Sequence, residues 1–288
     1  MLCIVNSRAH ARSLFDAIGS LDGAAHLSTL MCPAHRRLVL GNLKNDLANG
    51  RPARVVATSL IEAGVDIDFP EVWRASAGID SIAQAAGRCN RERTRPEGRV
   101  VVFEPKDWKP PHALQKLASA ADHVFRAGLD PLSIQGVTAF FQEVYWREGA
   151  AAFDAANIDK QIYPILAHLD AAAADLAFDF ETIARAFRMI DEAQQTVFVP
   201  FNADAEALLA HISAAERPAK AELRRLQLYG VSIPLRVRDH WLHTGVLIPV
   251  HRALGEAMLR TTDMSLYRSQ TGLNLADPDW RATETNIF

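Results

Sequence analysis

VVATSLIEAGVDIDFPEVWRASAGIDSIAQAAGRCNRER, residues 55–93, decides how the chain is read. It opens as a buried strand at Val55-Val56-Ala57, passes through Thr58-Ser59 and bends at Gly64 into Val65-Asp66-Ile67-Asp68, where two acids alternate with apolar residues. A short strand follows at 72–75, then a helix expected over 79–89, then a run of arginines. Gln84, Arg88 and Arg91 lie four and three residues apart, so a continuing helix projects all three from one face. Two guanidiniums and an amide pointing the same way suit a polyphosphate, because arginine presents a fixed fork of donors and keeps its charge. Gly64 permits a turn that most residues cannot make, and Asp66 offers an acceptor for a sugar hydroxyl. Thr58 and Ser59 fall at the carboxyl end of a strand, where open α/β sheets bind ligands. Taken singly, Arg88, Arg91, Arg93 and Arg95 read equally as a solvated face, and Asp66 as a turn cap; the set at this spacing is what points to a ligand.

Working outward, the first hundred residues alternate strand and helix. Strands are expected at 2–5, 26–30, 54–57, 72–75 and 99–103, with helices over 9–18, after an Asn6-Ser7 cap, and over 33–47, with proline in the first turn. Such alternation implies a parallel sheet covered on both faces, an open α/β layer ending near residue 104. Pro105, Trp108, Pro110 and Pro111 mark a break. Residues 112–195 are rich in Ala, Leu and Phe at helical spacing. A strand at 196–200, helices at 205–212 and 219–228, and strands at 245–250 and 266–275 complete a second, mixed and mostly helical domain over 105–288. The alanine-rich patches at 150–156 and 171–177 favour helix.

Composition sets outer limits. Of 288 residues, 49% are hydrophobic and 23% charged, which is ordinary globular usage. Lys+Arg 31 against Asp+Glu 34 gives net charge -3, so any nucleic-acid contact must use a local basic surface. Three cysteines, Cys3, Cys32 and Cys89, without CxxC spacing, argue against a disulfide framework and a thiolate metal site, and with no signal-peptide plan or apolar span they lead us to expect a cytoplasmic protein.

At the residues quoted, the chain resembles the superfamily-2 helicases. Residues 57–68 look like their motif V, and Gln84-Ala85-Ala86-Gly87-Arg88-Cys89-Asn90-Arg91 like motif VI. Ile4-Val5-Asn6-Ser7 is similar to the motif IV strand, and residues 27–37 to the following segment of the CRISPR-associated helicase-nucleases of type I interference systems. Tyr145–Gly149, Phe187-Arg188-Met189-Ile190 and residues 228–234 look like that family's C-terminal accessory region. The resemblance implies a RecA-like second helicase domain over 1–104, followed by the accessory domain. It makes Arg88 and Arg91 finger candidates, Gln84 a sensor of the γ-phosphate or attacking water, and Gly64 and Asp66 the nucleotide-side turn. Thr58, Ser59, Asn6 and Ser7 become contacts to the backbone of single-stranded DNA. No GxxxxGK(S/T) phosphate loop, acidic DExH box or nuclease His-Asp pair occurs in these 288 residues. ATP with magnesium is therefore expected to need a first RecA-like half not present here. The implied partners are that half, single-stranded DNA and an RNA-guided surveillance complex. The other reading is a non-catalytic DNA- or partner-binding fragment.

Other constellations point elsewhere. Asp239-His240, His243 and His251 lack HExxH spacing and read as structural histidines, so no metal site is assigned. Trp108 and Trp146 could stack on bases, but burial is the default for so large a side chain. Arg91-Glu92-Arg93-Thr94-Arg95, broken by an acid and followed by Pro96-Glu97-Gly98, reads as a solvated loop, with a DNA-channel role open for Arg93 or Arg95.

Overall fold

The computed structural model describes residues 1–62, 64–149, 156–158, 161–186 and 194–275. The expected open sheet is present. Strands β1 (Leu2–Val5), β2 (Ala24–Leu27), β3 (Arg54–Thr58), β4 (Glu71–Ala75) and β5 (Arg99–Phe103) are all parallel in the order β2-β3-β1-β4-β5. Strand alternation sends Leu2, Ile4, Val55, Ala57 and Val72 to one face, where they bury against Leu27, Met31 and Leu43; Val5, Val56 and Ala75 meet Ala11 on the other. Both faces are apolar, which is why these strands read as continuous hydrophobic runs. Helices α1 (Arg8–Ile18) and α2 (Pro33–Ala48) begin as expected, α1 with Ser7 Oγ accepting from the His10 N–H at 3.1 Å and α2 with Pro33 in its first turn. From β3 the chain crosses to the far side of β1 to form β4, so the sheet's switch point lies at β1.

Two boundaries differ from the sequence reading. β2 ends at Leu27 because Ser28 starts a turn, its Oγ accepting from Leu30 N at 3.3 Å and its carbonyl from Met31 N at 3.1 Å. Helix α3 (Ile79–Ala86) stops three residues short of the expected end. Beyond its Gly87 cap, Arg88 O accepts from Phe69 N and Phe69 O accepts from Asn90 N, both at 2.9 Å, so residues 88–90 run beside fully buried Phe69 instead of continuing the helix.

The chain continues with α4 (His112–Arg126), α5 (Ile134–Glu148), the β6–β7 hairpin (Ala156–Ile158, Gln161–Tyr163), α6 (Ile165–Asp175) and α7 (Phe180–Ala186). Next come β8 (Gln194–Phe198), α8 (Ala203–Ala214), α9 (Lys220–Leu226), β9 (Gly230–Pro234), α10 (Leu235–His243), β10 (Leu247–Pro249) and β11 (Leu259–Thr261). A final hairpin pairs β12 (Tyr267–Arg268) with β13 (Gly272–Leu273) around the Gln270-Thr271-Gly272 turn. β10-β11-β8-β9 form a mixed four-stranded sheet. Two compact units result, one of residues 1–118 with 194–288 and one of 119–193, so the stretch expected as one accessory domain over 105–288 is divided between them.

The first unit holds both sheets. Leu30 and Cys32, just before α2, bury into the core that Val197, Val231, Ile233, Trp241 and Leu259 make under the smaller sheet. Tyr267 Oη accepts from Cys32 N at 3.0 Å and meets His35 Nδ1 at 2.9 Å; Leu30 O accepts from Leu273 N at 2.8 Å. Gly272 has φ +78°, and a Cβ there would stand 2.3 Å from Leu30 O, so only glycine allows that approach. In the second unit, Ala120, Ala121, Val124 and Phe140 are buried, whereas Trp146 is 85% exposed, against the burial expected of it. The Phe187–Ile190 resemblance and most of the 150–156 patch lie outside the described residues. No helix among those described is long and apolar enough to cross a membrane.

Burial carries one pH consequence. His26, beneath α1 and beside Ser28 Oγ at 3.1 Å, is pulled down from 6.5 to about 4 by desolvation, with Arg12 adding to the fall. The unfolded chain takes a proton near pH 6.5 and the fold resists it until about pH 4. The contribution is therefore complete above pH 6.5 and lost as pH falls through 4, by about 3 kcal/mol at about 1.4 kcal/mol per pH unit. Denaturant unfolding across this range should show that loss, and His26→Gln should flatten it.

Candidate functional site

The turn after β3 is built around Gly64. Thr58 closes the strand, Ser59–Ile61 makes one 3-10 turn, and Gly64 adopts φ +69° with open space where a Cβ would point. Past it, the Asp66 side chain is 72% exposed and accepts from Arg91 Nε at 3.0 Å. Asp68 Oδ1 accepts from the Arg91 backbone N–H at 2.7 Å, and its other oxygen lies 3.5 Å from Arg95 Nη1. The acids and arginines of the opening stretch thus meet each other across this loop.

Arg88 turns the other way. It is 8% exposed; its Nε donates to Ile61 O at 3.0 Å and its Nη2 to Glu62 O at 2.6 Å. Gln84, exposed on α3, is not beside it, so the single face expected for Gln84, Arg88 and Arg91 does not form, because the helix ends at Ala86. Behind the carbonyls that Arg88 holds, Glu62 pairs with Arg74 of β4 at 2.8 Å, the two side chains 5% and 1% exposed. Arg74 Nη1 donates to Asn6 Oδ1 at 2.6 Å and to Ala75 O at 3.0 Å, and Asn6 Nδ2 donates to Ser76 O at 2.8 Å. Burial pushes the Glu62 carboxyl up and the Arg74 guanidinium down, each opposed by the other's charge. One line of polar contacts therefore runs from Arg88 through Glu62 and Arg74 to Asn6. Neither Glu62 nor Arg74 was singled out in the sequence; an arginine inside the otherwise buried strand Glu71–Ala75 was the available signal.

Above this line lies a cleft of about 760 Å³ at the carboxyl ends of the parallel strands. It brings together Asn6, Ser7, Thr58, Ser59 and Gln84, with the Glu62–Arg74 pair also in its lining. Ser59 is exposed, Thr58 nearly buried, Ser7 Oγ caps α1, and both ends of the Asn6 amide are engaged. Gly64, Asp66, Arg88 and Arg91 do not line it. Elsewhere, His251 Nδ1 accepts from Ala253 N at 3.1 Å and its Nε2 meets Ala215 O at 2.9 Å, a structural use of that histidine, and His10 stacks on Trp108 at 5.0 Å.

Residues 2–94 match the model of the family described as CRISPR-associated nuclease/helicase Cas3, C-terminal. That stretch, about a third of the chain, is similar to the C-terminal part of Cas3 helicase-nucleases. Across 85 residues it is 41% identical to the CRISPR-associated nuclease/helicase Cas3 of Haloferax volcanii, a match covering 29% of this chain and 9% of that protein. T. fusca Cas3 has the same fold: the Cas3-ATP crystal structure superposes over 94% of this chain with TM-score 0.60 at 14% identity, and the Cas3 crystal structure over 96% with TM-score 0.56 at 16% identity. The chain spans 38% of the length of each of those solved chains. The five-stranded sheet thus has the RecA-like fold found in those structures, with the cleft on its strand ends and the arginine loop apart from it.

Proposed function

We infer that the chain acts as the second RecA-like half of an ATP-dependent single-stranded-DNA translocase in CRISPR defence. The observation that carries this reading is the cleft, which gathers Asn6, Ser7, Thr58 and Ser59 at adjacent strand ends while leaving the Asp66–Arg91 loop outside it. Neutral donors at strand ends suit a phosphodiester backbone and position it without reading bases. On the other side, Arg91 is 45% exposed and its guanidinium pairs with the exposed carboxylate of Asp66, so it can leave Asp66 for a phosphate at little expense in free energy. Arg88 serves that loop by holding the carbonyls of Ile61 and Glu62. Gln84 opens on the cleft, and its role as γ-phosphate sensor rests on the resemblance.

ATP, when bound, supplies the phosphoryl group whose departure the arginines stabilise. The phosphate loop and acidic box that would hold it with magnesium are absent from these 288 residues and belong to a first RecA-like half. An RNA-guided surveillance complex is the partner that would deliver DNA to the assembly. ATP hydrolysis on single-stranded DNA tests the reading. The 288-residue chain should show none above background and should recover it when combined with a first RecA-like half; robust turnover by the chain alone overturns the division of labour.

A further inference from the structure

The cleft contains more than the helicase motifs account for. At its rim, Thr29 follows β2, Thr58 closes β3 and Ser7 follows β1, so hydroxyls stand at the ends of three adjacent strands. At a strand spacing of about 4.8 Å they spread over about 10 Å, wider than one phosphate group and suited to a chain of them. The smaller sheet adds to the same lining through Ser232 of β9 and Gln194, both exposed. Of the cleft's three arginines, Arg8 has a partner elsewhere in the structure and Arg74 is engaged by Glu62 and Asn6. Arg36, in the first turns of α2, lines the cleft half-buried, and its guanidinium makes no hydrogen bond or ion pair among the described residues. Water still reaches that guanidinium, so its charge is available to an anion entering the cleft.

We propose that Arg36 is a phosphate-binding cation of this cleft and that Ser232 of β9 contacts the same strand, so a single-stranded polynucleotide is held by both sheets of the first unit. This rests on the reading of the cleft as a DNA groove. Arg36 supplies the charge-assisted contact that Thr58, Ser59 and Ser7 lack. It adds an electrostatic component to binding that their neutral groups do not, and Ser232 gives the accessory region a direct part in DNA contact.

Fluorescence anisotropy of the 288-residue chain with a labelled single-stranded oligonucleotide, between about 50 and 200 mM salt, tests this. Arg36→Gln should reduce the slope of log affinity against log salt by about 0.7, the contribution of one phosphate contact on a single strand. Arg36→Lys should restore the slope, Ser232→Ala should weaken binding without changing it, and Arg37→Gln, next in sequence but outside the cleft, should leave it unchanged. Equal effects of Arg36→Gln and Arg37→Gln would mean a diffuse surface field and overturn the assignment. Inorganic phosphate and ATP serve as competitors; if ATP displaces the oligonucleotide through Arg36 at stoichiometric levels, the site is a nucleotide site and the proposal fails. Binding that is sensitive to Thr58→Ala but indifferent to Arg36→Gln removes this inference and leaves the groove intact, whereas no binding at all removes both.

Discussion

Replacing Arg91 by alanine, in an assembly containing a first RecA-like half, is expected to lower DNA-stimulated ATP hydrolysis by about 10³-fold, the lower end of what a supplied arginine contributes to phosphoryl transfer. The fold should be untouched, since Arg91 and Asp66 are both largely exposed and such a pair contributes about 1 kcal/mol or less. The Asp68 contact to the Arg91 backbone N–H survives the substitution. Arg88→Ala should separate from it in kind. It removes two charged hydrogen bonds to the Ile61 and Glu62 carbonyls, each worth about 1.5–3 kcal/mol, so its first effect is on denaturant midpoint and its effect on turnover follows from a loosened loop. Parallel measurement of turnover and unfolding distinguishes them. Full activity in the Arg88→Ala, Arg91→Ala double variant would show that neither arginine takes part in the reaction.

The second large effect is one of stability. Arg74→Met leaves the Glu62 carboxylate buried without its cation and should destabilise the fold by about 3–5 kcal/mol. Arg74→Met with Glu62→Leu removes both charges and should recover most of that loss, because two desolvated ions are replaced by side chains that need no solvation. Asn6 would still lose its Arg74 contact in the double variant. An urea titration of the wild type, the single and the double variant gives the three free energies; a single variant as stable as wild type would show that the pair carries no structural weight.

How much of this was legible beforehand depends on whether local pattern or distant partner decides each feature. The parallel sheet was readable because Val55-Val56-Ala57 is apolar on both faces, a pattern that buried parallel strands impose on their own sequence; Val100-Val101-Val102 repeats it in the half-exposed edge strand β5. The end of α3 was not, because Gly87 can sit inside a helix and what ends this one is Phe69, some twenty residues earlier, pairing with residues 88–90. The same early end undoes the expectation that Gln84, Arg88 and Arg91 share a face. Strand β9 was passed over because Gly230–Pro234 is short and closes on proline, and its pairing with β8 spans more than thirty residues. Arg74 and Glu62 are invisible in the same way: each is an ordinary charged residue until the sheet brings them within 2.8 Å. Trp146 failed the usual expectation for its type, which describes averages and not the outer side of α5.

The hairpin β12–β13 has a bearing on synthesis. The groups that satisfy Leu30, Cys32 and His35, namely Tyr267 Oη and the Leu273 N–H, are translated more than 230 residues after them. While the nascent chain is on the ribosome, the segment entering α2 waits with its backbone partners missing and two apolar side chains uncovered. The sheet of residues 1–103 can assemble early from its own strands, but that entry can be completed only after residue 273 has left the exit tunnel, which makes this corner of the molecule the last to close and the first to need a chaperone's cover.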